Sequence, residues 1–260
     1  MVRATRILIL FVALSLISIL GPFIAPYDPF QVSGNPYQQP SWSHILGTDG
    51  LGRDIFSQLI VGSRITLTIS ITAAAISLAI GLFLGLVSSL RGLLSQAVSS
   101  LIDSFIVVPP LIIMIFIASI MGPSIVSTIV SISLSYWPQI AKTIRAEALS
   151  ILERQYVEAA RAVGAGIKWI FRKHVIPNMG HVILANLAYA VGIAMVSESI
   201  VSFLGLGDQR FFSWGMIFYY AFIQGAIYYG LWLWILSPAL VISITAYILF
   251  ETSRDIIKRA

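Results

Sequence analysis

Apolar runs of membrane-spanning length alternate with short polar segments along the whole chain. A helix needs about 20 predominantly apolar residues to cross a bilayer. The run at 104–141 is long enough for two such helices, with a turn expected at the sequence MGPS. The other runs cover residues 7–27, 65–90, 181–206 and 229–250. This pattern predicts an all-α polytopic membrane protein with six transmembrane helices. The first is expected to be retained, with a cleaved signal peptide as the alternative.

The Lys and Arg residues are distributed unevenly among the segments that join these helices. With both termini in the cytoplasm, only Arg53, Arg64 and Arg210 of the 16 basic residues lie outside. This asymmetry follows the positive-inside rule. It predicts a multi-pass protein of the cell (cytoplasmic) membrane with cytoplasmic N- and C-termini, and it places residues 142–178 on the cytoplasmic side.

The amino-acid composition is that of a membrane protein, and it excludes several kinds of functional site. Hydrophobic residues make up 58% of the chain and charged residues 10%, and the mean hydropathy is +0.91. The net charge of +5 comes without basic runs interleaved with aromatic residues, so the expected partner is the lipid bilayer and not nucleic acid. The sequence has no Cys, which excludes disulfides, thiol catalysis and Cys-based metal sites.

Residues 142–178 carry a charged, amphipathic pattern between two apolar runs. Apolar and small residues recur there at three- and four-residue spacing, Val163 among them, which is typical of a helix with one buried face. The sequence GAG at 164–166 interrupts that helix, because glycine can adopt the left-handed turn that ends one. A second short amphipathic helix is expected from Ile167 to Pro177-Asn178. The pattern predicts two short helices joined at a hinge, and on periodicity alone they could simply lie on lipid headgroups.

The order of residues in this hairpin is specific. Glu158-Ala159-Ala160 is followed after three residues by Gly164, and after nine more by a segment from His174 to Asn178. This order resembles the EAA loop of ABC-importer permeases, whose two short helices dock on a cytoplasmic ATPase. The resemblance implies that the following residues form the ATPase-coupling surface: Glu158, Ala159, Ala160, Gly164, Gly166, Phe171, His174, Pro177 and Asn178. Alanines would permit close helix contact, and the carboxylate would offer a charged partner.

Four further segments resemble one subfamily, the dipeptide, oligopeptide and nickel permeases. They are His44–Arg64 (HILGTDGLGRDIFSQLIVGSR), Asp103–Leu111 (DSFIVVPPL), Glu198–Gly207 (ESIVSFLGLG) and Ser213–Ile217 (SWGMI). The resemblance covers nearly the whole chain and implies the type I ABC-importer permease fold. We expect residues 1–63 to form a first transmembrane helix and an extracellular loop. Residues 64–260 would then form a five-helix permease core.

The same resemblance implies partners and a mechanism. The chain would be the non-enzymatic permease subunit of an ATP-driven importer of peptides or similar small solutes. It would pair with a second homologous permease, two cytoplasmic ATP-binding subunits and an extracellular solute-binding protein. It would hold no cofactor and no metal and have no catalytic residue, since ATP and Mg would bind to the ATPase subunits. Nickel, glutathione and oligosaccharides remain open as cargo, as does pairing with itself or with a sister permease.

Glu198 is an ionisable residue within the fifth predicted span, where burial in lipid is costly. We expect it to line the translocation path or a gate. The alternative is a carboxylate that is hydrogen-bonded to a neighbouring helix and holds the outer half of the bundle together.

The segment GTDGLGRD is glycine-rich but lacks the phosphate-binding pattern GxxxxGK[ST]. We interpret it as an ordered extracellular turn held by Asp side chains bonded to nearby backbone N–H groups. The family usually has Arg where this chain has Gln58, so an ion pair at that position is in doubt. The loop before Trp214 also lacks the prolines usual in the family.

Two further patterns have more than one interpretation. Pro109-Pro110 could form a gating kink or simply start a helix, where proline is tolerated, and we favour the second. Gly81 and Gly85 are spaced for close helix packing.

Other function classes fit less well. A serine protease pairing Ser124 with His181 would have its nucleophile and base at opposite ends of the membrane, about 30 Å apart. A secondary transporter or channel without an ATPase is the stronger alternative. Such proteins tend to carry several ionisable residues inside the membrane, whereas here Glu198 stands nearly alone.

Overall fold

The computed structural model describes residues 20–21 and 23–258. Within them the chain is helical apart from loops and one isolated β-bridge between Thr48 and Asp54. Most of the predicted first helix, 7–27, lies outside the described residues. The helices from residue 55 onward are α1 (Ile55–Ser88), α2 (Leu93–Val107), α3 (Pro110–Met121), α4 (Ile125–Leu152), α5 (Gln155–Ala162), α6 (Ile167–Ile170), a π-helical turn (Phe171–Val175), α7 (Ile176–Asn178), α8 (Gly180–Phe203), α9 (Trp214–Ile223) and α10 (Trp232–Ile257).

Helices α1, α8 and α10 are long and apolar enough to cross a membrane, and α2 with α3 forms a fourth, bent candidate. Helix α4 is also long enough, at 28 residues, but it is less apolar because serines occupy its buried face. Ser131, Ser133 and Ser135 are buried and bond to carbonyls of their own helix. Five of the six predicted spans therefore have a counterpart among the described residues.

Helix α1 begins ten residues earlier than the apolar run indicated, at Ile55 instead of Ile65. The expected loop up to Arg64 was therefore too long. The Asp54 carboxylate accepts a hydrogen bond from Ser57 N at 2.8 Å and so caps the helix. The first turns of α1 contain buried polar residues and are followed by Arg64. A search for long uncharged apolar runs therefore places the start of the helix after Arg64. The expected division at 63/64 lies inside this helix.

Helix α4 packs against α1 along the glycine pair, which confirms the predicted close packing. A Cβ atom on Gly81 would lie 2.7 Å from Ile140 Cγ2, and one on Gly85 would lie 2.7 Å from the carbonyl oxygen of Ala141. The two backbones can approach this closely only because neither glycine has a side chain.

The third predicted span is broken into α2 and α3, whose axes differ by 88°. Pro110 occupies the first turn of α3, as expected for a structural proline. Val108 precedes Pro109 and adopts an extended conformation, φ −80° and ψ 124°, because a residue before proline is disfavoured in the helical region. The chain therefore turns sharply, and only the 12 residues of α3 continue toward the other end of the bundle.

The two ends of the bundle differ in construction. We call the end that carries residues 153–179 the hairpin end. The opposite end, which carries residues 25–54, 122–124 and 204–231, is the cap end. A hydrophobic core runs between them and takes in α1, α4, α8, α9 and α10.

Candidate functional site

The hairpin is joined to the bundle by a continuous apolar core. Helix α4 extends to Leu152, and after a break at residues 153–154 helix α5 begins at Gln155. Val157 of α5 and Ile170 of α6 are buried in the same cluster as Ile144 and Ile151 of α4. The hairpin and α4 therefore share one packed core.

Gly164 forms the hinge that the sequence predicted. Its φ is +91°, in the region that favours glycine. The N–H of Ala165 donates to the carbonyl of Ala160 at 3.0 Å and the N–H of Gly164 to that of Arg161 at 2.9 Å, so the end of α5 is closed by a left-handed turn. No atom comes within 4 Å of a Cβ built at Gly164 or at Gly166. The turn is thus open on its outer side in the described part of the chain.

The second half of the hairpin does not end at Pro177 as expected. The helical path continues through a π-helical turn at Phe171–Val175 and α7 into α8 at Gly180. Proline removes a donor and crowds the preceding turn, and the wider π-helical turn that ends two residues before Pro177 accommodates both effects. Asn178 Nδ2 donates to the carbonyl of His174 at 2.6 Å. The hairpin is therefore continuous with α8 on one side and nearly continuous with α4 on the other.

The outer face of the hairpin collects most of the predicted coupling residues. Ala160, Phe171 and His174 are half-buried. The others, Glu158, Ala159, Gly164, Gly166, Pro177 and Asn178, are exposed. Val163 was expected on the buried face but is 87% exposed, because α5 ends at Ala162 and the turn rotates the next residue outward.

The charged residues of the hairpin are exposed or half-buried and unpaired. Among residues 153–173 the described chain forms no salt bridge. Two are acidic, Glu153 and Glu158, and the basic residues are Arg154, Arg161, Lys168, Arg172 and Lys173. The exposed apolar side chains of Val163, Ile167 and Trp169 lie on the same segment. Among these side chains, Trp169 and the Arg residues are of types that are enriched at protein interfaces.

His174 is held between two aromatic rings that connect the halves of the hairpin. Its ring centroid lies 5.3 Å from that of Tyr156 in α5 and 5.1 Å from that of Trp169 in α6. The contact with Tyr156 crosses the Gly164 turn, so His174 packs against both arms of the hairpin. The sequence motif by itself does not reveal these contacts.

Glu198 lies at the cap end and is fully buried. Its Oε1 accepts hydrogen bonds from Ser202 Oγ at 2.7 Å and from Ser213 Oγ at 2.6 Å. Ser213 caps α9, since its Oγ also accepts from Met216 N at 3.1 Å. The carboxylate thus joins α8 to the start of α9. This is the contact that the alternative interpretation of Glu198 expected, and a role of Glu198 in the translocation path stays a prediction.

The motif SWG explains why α9 sits against this carboxylate. Trp214 N donates to Thr66 Oγ1 and Trp214 Nε1 to the carbonyl of Leu59, both at 2.9 Å, so α9 is anchored to α1. A Cβ on Gly215 would lie 2.6 Å from Ser199 Cα, which shows how closely α9 approaches α8. Serine, tryptophan and glycine each meet one requirement of this three-helix contact.

The glycine-rich segment at 47–54 forms an ordered turn, as predicted. Asp49 Oδ1 accepts from the backbone N–H groups of Leu51 and Arg53, both at 2.9 Å. Its Oδ2 accepts from Arg53 Nε at 2.6 Å and from Gln58 Nε2 at 2.9 Å. The neutral Gln58 thus gives Asp49 a hydrogen bond at the position where an ion pair was in doubt. Asp54 is bound in turn by His44 Nδ1 at 2.9 Å.

Membership of a protein family follows from comparison with known sequences. The profile of the family described as "Binding-protein-dependent transport system inner membrane component" matches residues 77–260, well over half of the chain. The chain belongs to this family. The matched region includes the hairpin, Glu198 and the SWG motif. The protein is therefore the membrane-embedded permease subunit of an ABC transport system, and permeases of its family pair with ATPase subunits and a binding protein.

Relatives cover most of the permease. It is 34% identical over 229 residues to a putative peptide permease of Brucella suis, covering 86% of this chain and 76% of that protein. It is 32% identical over 237 residues to the dipeptide transport system permease protein DppC of Bacillus subtilis, covering 90% and 73%. These matches agree with the subfamily resemblance noted in the sequence.

The fold is also that of a solved permease. An inward-facing structure of the MetNI methionine ABC transporter has a chain that superposes with a TM-score of 0.66 at 19% identity, covering 79% of this permease and 98% of that chain. A second inward-facing form of the same transporter superposes with a TM-score of 0.63 at 22% identity, covering 78% and 96%. The predicted type I importer permease fold is thereby confirmed.

Two features of the permease escaped the sequence analysis. One is the polar contact of Asp49 with Gln58, which are nine residues apart. The only sequence signal for this contact was that the two residues lie on either side of the start of α1. The other is the anchoring of Trp214 to Leu59 and Thr66, which no local pattern encodes. Within residues 20–21 and 23–258 no three His, Asp or Glu side chains come together as a possible metal site.

Proposed function

We propose that this permease forms half of the translocation path of an ATP-driven importer of peptides or similar small solutes. In this proposal the hairpin at 153–179 is the docking surface for a cytoplasmic ATPase. The observation that carries it is the two-sided construction of the hairpin. Its inner face is buried with α4, while its outer face presents unpaired charges and small residues.

The proposed assembly contains a second homologous permease, two cytoplasmic ATP-binding subunits and an extracellular solute-binding protein. ATP and Mg bind to the ATPase subunits, and the permease itself performs no hydrolysis. The peptide cargo is supported by the relatives, which are described as peptide and dipeptide permeases. The orientation, with both termini cytoplasmic, is supported by the distribution of basic residues in the sequence.

The mechanism we propose is alternating access driven through the hairpin. When ATP closes the ATPase dimer, the exposed Glu158 and the turn at Gly164 move with it. The shared core carries this motion into α4, and the near-continuous backbone carries it into α8. Because a packed core is not continuously deformable, the two helices shift as units and open the path at the opposite end. ATP hydrolysis then returns the two helices to their starting positions.

The test is co-purification of the tagged permease from its native membrane, followed by mass spectrometry. We expect wild type to recover ATPase subunits and a second permease, and we expect Glu158→Arg to lose the ATPases because it places a cation where a carboxylate docks. Glu251→Arg is the matched control, a charge reversal on α10 outside the hairpin. Both variants should stay within about 0.5 kcal/mol of wild-type stability in detergent, because Glu158 is exposed and the Glu251–Arg254 pair is a 3.4 Å surface contact.

Two outcomes would contradict the proposal. Retention of the ATPases by Glu158→Arg would remove this surface from the contact. Recovery of wild type alone, still folded and able to move solute in liposomes without ATP, would instead support a secondary transporter or channel.

A further inference from the structure

A small cavity with hydrogen-bonding groups in its wall lies between α4 and α8, between the hairpin and the Glu198 cluster. Its volume is about 60 Å³, enough for several water molecules. Its wall is formed by Tyr136, Gln139, Thr143, Asn186, Tyr189 and Ile193, together with Ile140 and Ala190. Five of these eight residues are uncharged and can form hydrogen bonds, and they come from two different helices. The aliphatic side chains and the tyrosine rings supply apolar surface.

The position of this cavity along α4 brings it close to the cytoplasmic side. Gln139 is 14 residues into α4, about 21 Å from the cap-end start of the helix. It precedes by three residues Lys142, where the segment predicted to lie on the cytoplasmic side begins, so the cavity lies near the inner end of the span. Gln139 is exposed, and its amide can form hydrogen bonds only with water, a solute or another subunit, because lipid offers no partner.

The hydrogen-bonding capacity of the cavity wall is largely unused. No hydrogen bond joins the Gln139 side-chain amide to another described residue. Asn186 Nδ2 donates to Val182 O at 2.9 Å, and no described residue donates to its side-chain oxygen. Tyr136 OH accepts from Ser197 Oγ at 3.0 Å, and this bond holds the ring while its own O–H remains available as a donor. The wall thus offers both donors and acceptors.

We propose that this wall is where the permeating solute contacts this subunit, and that it recognises backbone amide groups. Gln139 and Asn186 are the two residues that we expect to bind the amide groups of the solute. Their carboxamides can each donate to a peptide carbonyl and accept from a peptide N–H. Tyr136 and Tyr189 then cover the solute with apolar surface. This proposal rests on the proposed function, because it assumes that a solute crosses beside α4 and α8.

The neutrality of the wall has a consequence for selectivity. None of the residues lining the cavity carries a charge at neutral pH, so the wall has no fixed charge with which to select or reject a solute side chain. Contacts to the repeating amide serve peptides of differing sequence equally well. A metal cation, by contrast, would find no carboxylate or imidazole in this cavity to replace its water ligands. The wall therefore favours peptides over free metal ions and is tolerant of their side chains.

Thiol labelling tests the exposure of the wall directly, because the natural chain contains no Cys. Gln139→Cys and Asn186→Cys would be made singly in the complete transporter in membrane vesicles. They would be treated with a water-soluble charged methanethiosulfonate, with and without a millimolar mixture of di- to tetraalanine. Leu240→Cys on the exposed face of α10 is the lipid-facing control, and the Cys-free wild-type chain gives the background.

We expect labelling of both wall positions to be at least tenfold faster than at Leu240→Cys, and the peptides to slow it severalfold. Labelling as slow as at Leu240→Cys would mean that the wall is covered by another subunit or by lipid, and would overturn the proposal. Fast labelling without protection by the peptides would show a water-filled crevice that the solute does not touch, and would overturn it as well.

Uptake measurements test recognition of the amide. Gln139→Leu should lower uptake of trialanine, Ala-Lys-Ala and Ala-Glu-Ala by about the same factor, roughly tenfold, while ATP hydrolysis is retained. Gln96→Leu, the same change at an exposed position of α2 outside the cavity, should not alter uptake. Wild-type uptake by Gln139→Leu, or a loss confined to one of the charged peptides, would contradict amide recognition. Failure of the proposed function is distinguishable, because it would appear as loss of ATP dependence in the wild-type transporter.

Discussion

The cap end and the hairpin end of this permease handle their charged groups in opposite ways. At the cap end, Asp49, Asp54 and Glu198 are buried, and each carboxylate is bound by at least two donors of the same chain. At the hairpin end, Glu158 is exposed and its neighbouring cations are unpaired within the described chain. The cap end is therefore complete in the single subunit, whereas the hairpin end has the character of a surface that a partner completes.

This difference separates two kinds of residue that look alike in the sequence. A buried carboxylate that loses its donors leaves them unsatisfied and destabilises the fold. An exposed carboxylate on the hairpin contributes little to stability, so its substitution should affect assembly instead. Substitutions at the two ends should thus separate stability from coupling.

The largest effect is expected from Asp49→Ala at the cap end. This change removes the acceptor of four hydrogen bonds and leaves Arg53 and Gln58 without their buried partner. Breaking such a pair costs about 3–5 kcal/mol, and the unfolding temperature of the purified permease in detergent should fall accordingly. Asp103→Ala is the control, because the Asp103–Lys142 pair is exposed and 3.4 Å long, and it should change stability by less than about 0.5 kcal/mol. Equal effects of the two changes would remove the distinction between a buried and an exposed carboxylate.

A smaller loss is expected from Glu198→Leu. The hydroxyls of Ser202 and Ser213 would lose their shared acceptor in a buried site, at a cost of about 2 kcal/mol. Glu198→Gln keeps an acceptor oxygen in nearly the same place and should stay close to wild type in both stability and transport. Thermal unfolding and uptake would be measured on the same preparations. If Glu198→Leu had wild-type stability but no uptake, the result would support a role of this carboxylate in the translocation path.

Replacing a glycine of positive φ by alanine should lower the free energy of unfolding by about 1 kcal/mol at the hairpin end and at the cap end alike. Gly164 has φ +91° and Gly122, in the cap-end turn before α4, has φ +76°. Neither has an atom within 4 Å of an added Cβ, so Gly164→Ala and Gly122→Ala should cost only backbone strain, about 1 kcal/mol each. Only Gly164→Ala should also reduce uptake per molecule of ATP hydrolysed, because it alters the angle of the hairpin. Equal coupling in both variants would argue against the hinge.

The smallest effect is a pH dependence at the cap end. The Arg210 side chain, which donates to both carboxylate oxygens of Asp208, holds the pKa of that carboxyl below its ordinary value near 4. A lowered folded-state pKa contributes stability that is fully present above about pH 4 and is lost as the pH falls through the folded value. Asp208→Asn should therefore flatten the decline of unfolding temperature between about pH 4 and pH 2. An unchanged decline in that variant would mean that other carboxylates control it.

Local signals in the sequence determined much of the fold. Apolar runs located the spans from α1 to α10, because a bilayer demands about 20 apolar residues per helix wherever the chain crosses it. Gly164 and the Pro109-Pro110 pair marked the hairpin turn and the break before α3, since positive φ and the missing N–H of proline are properties of single residues. The order of residues around Glu158 identified the family.

Contacts between distant residues were decided only by the tertiary structure. The sequence places Glu198 in a span but cannot show whether it faces a path or the hydroxyl of Ser213, because that depends on the rotation of α8 against α9. In the same way, Gln139 in α4 and Asn186 in α8 are unremarkable polar residues until helix packing brings them to one cavity. Burial and hydrogen-bond partners depend on which helix faces are in contact. The sequence determines which residues share a face of one helix, but it does not determine which neighbouring helix that face contacts.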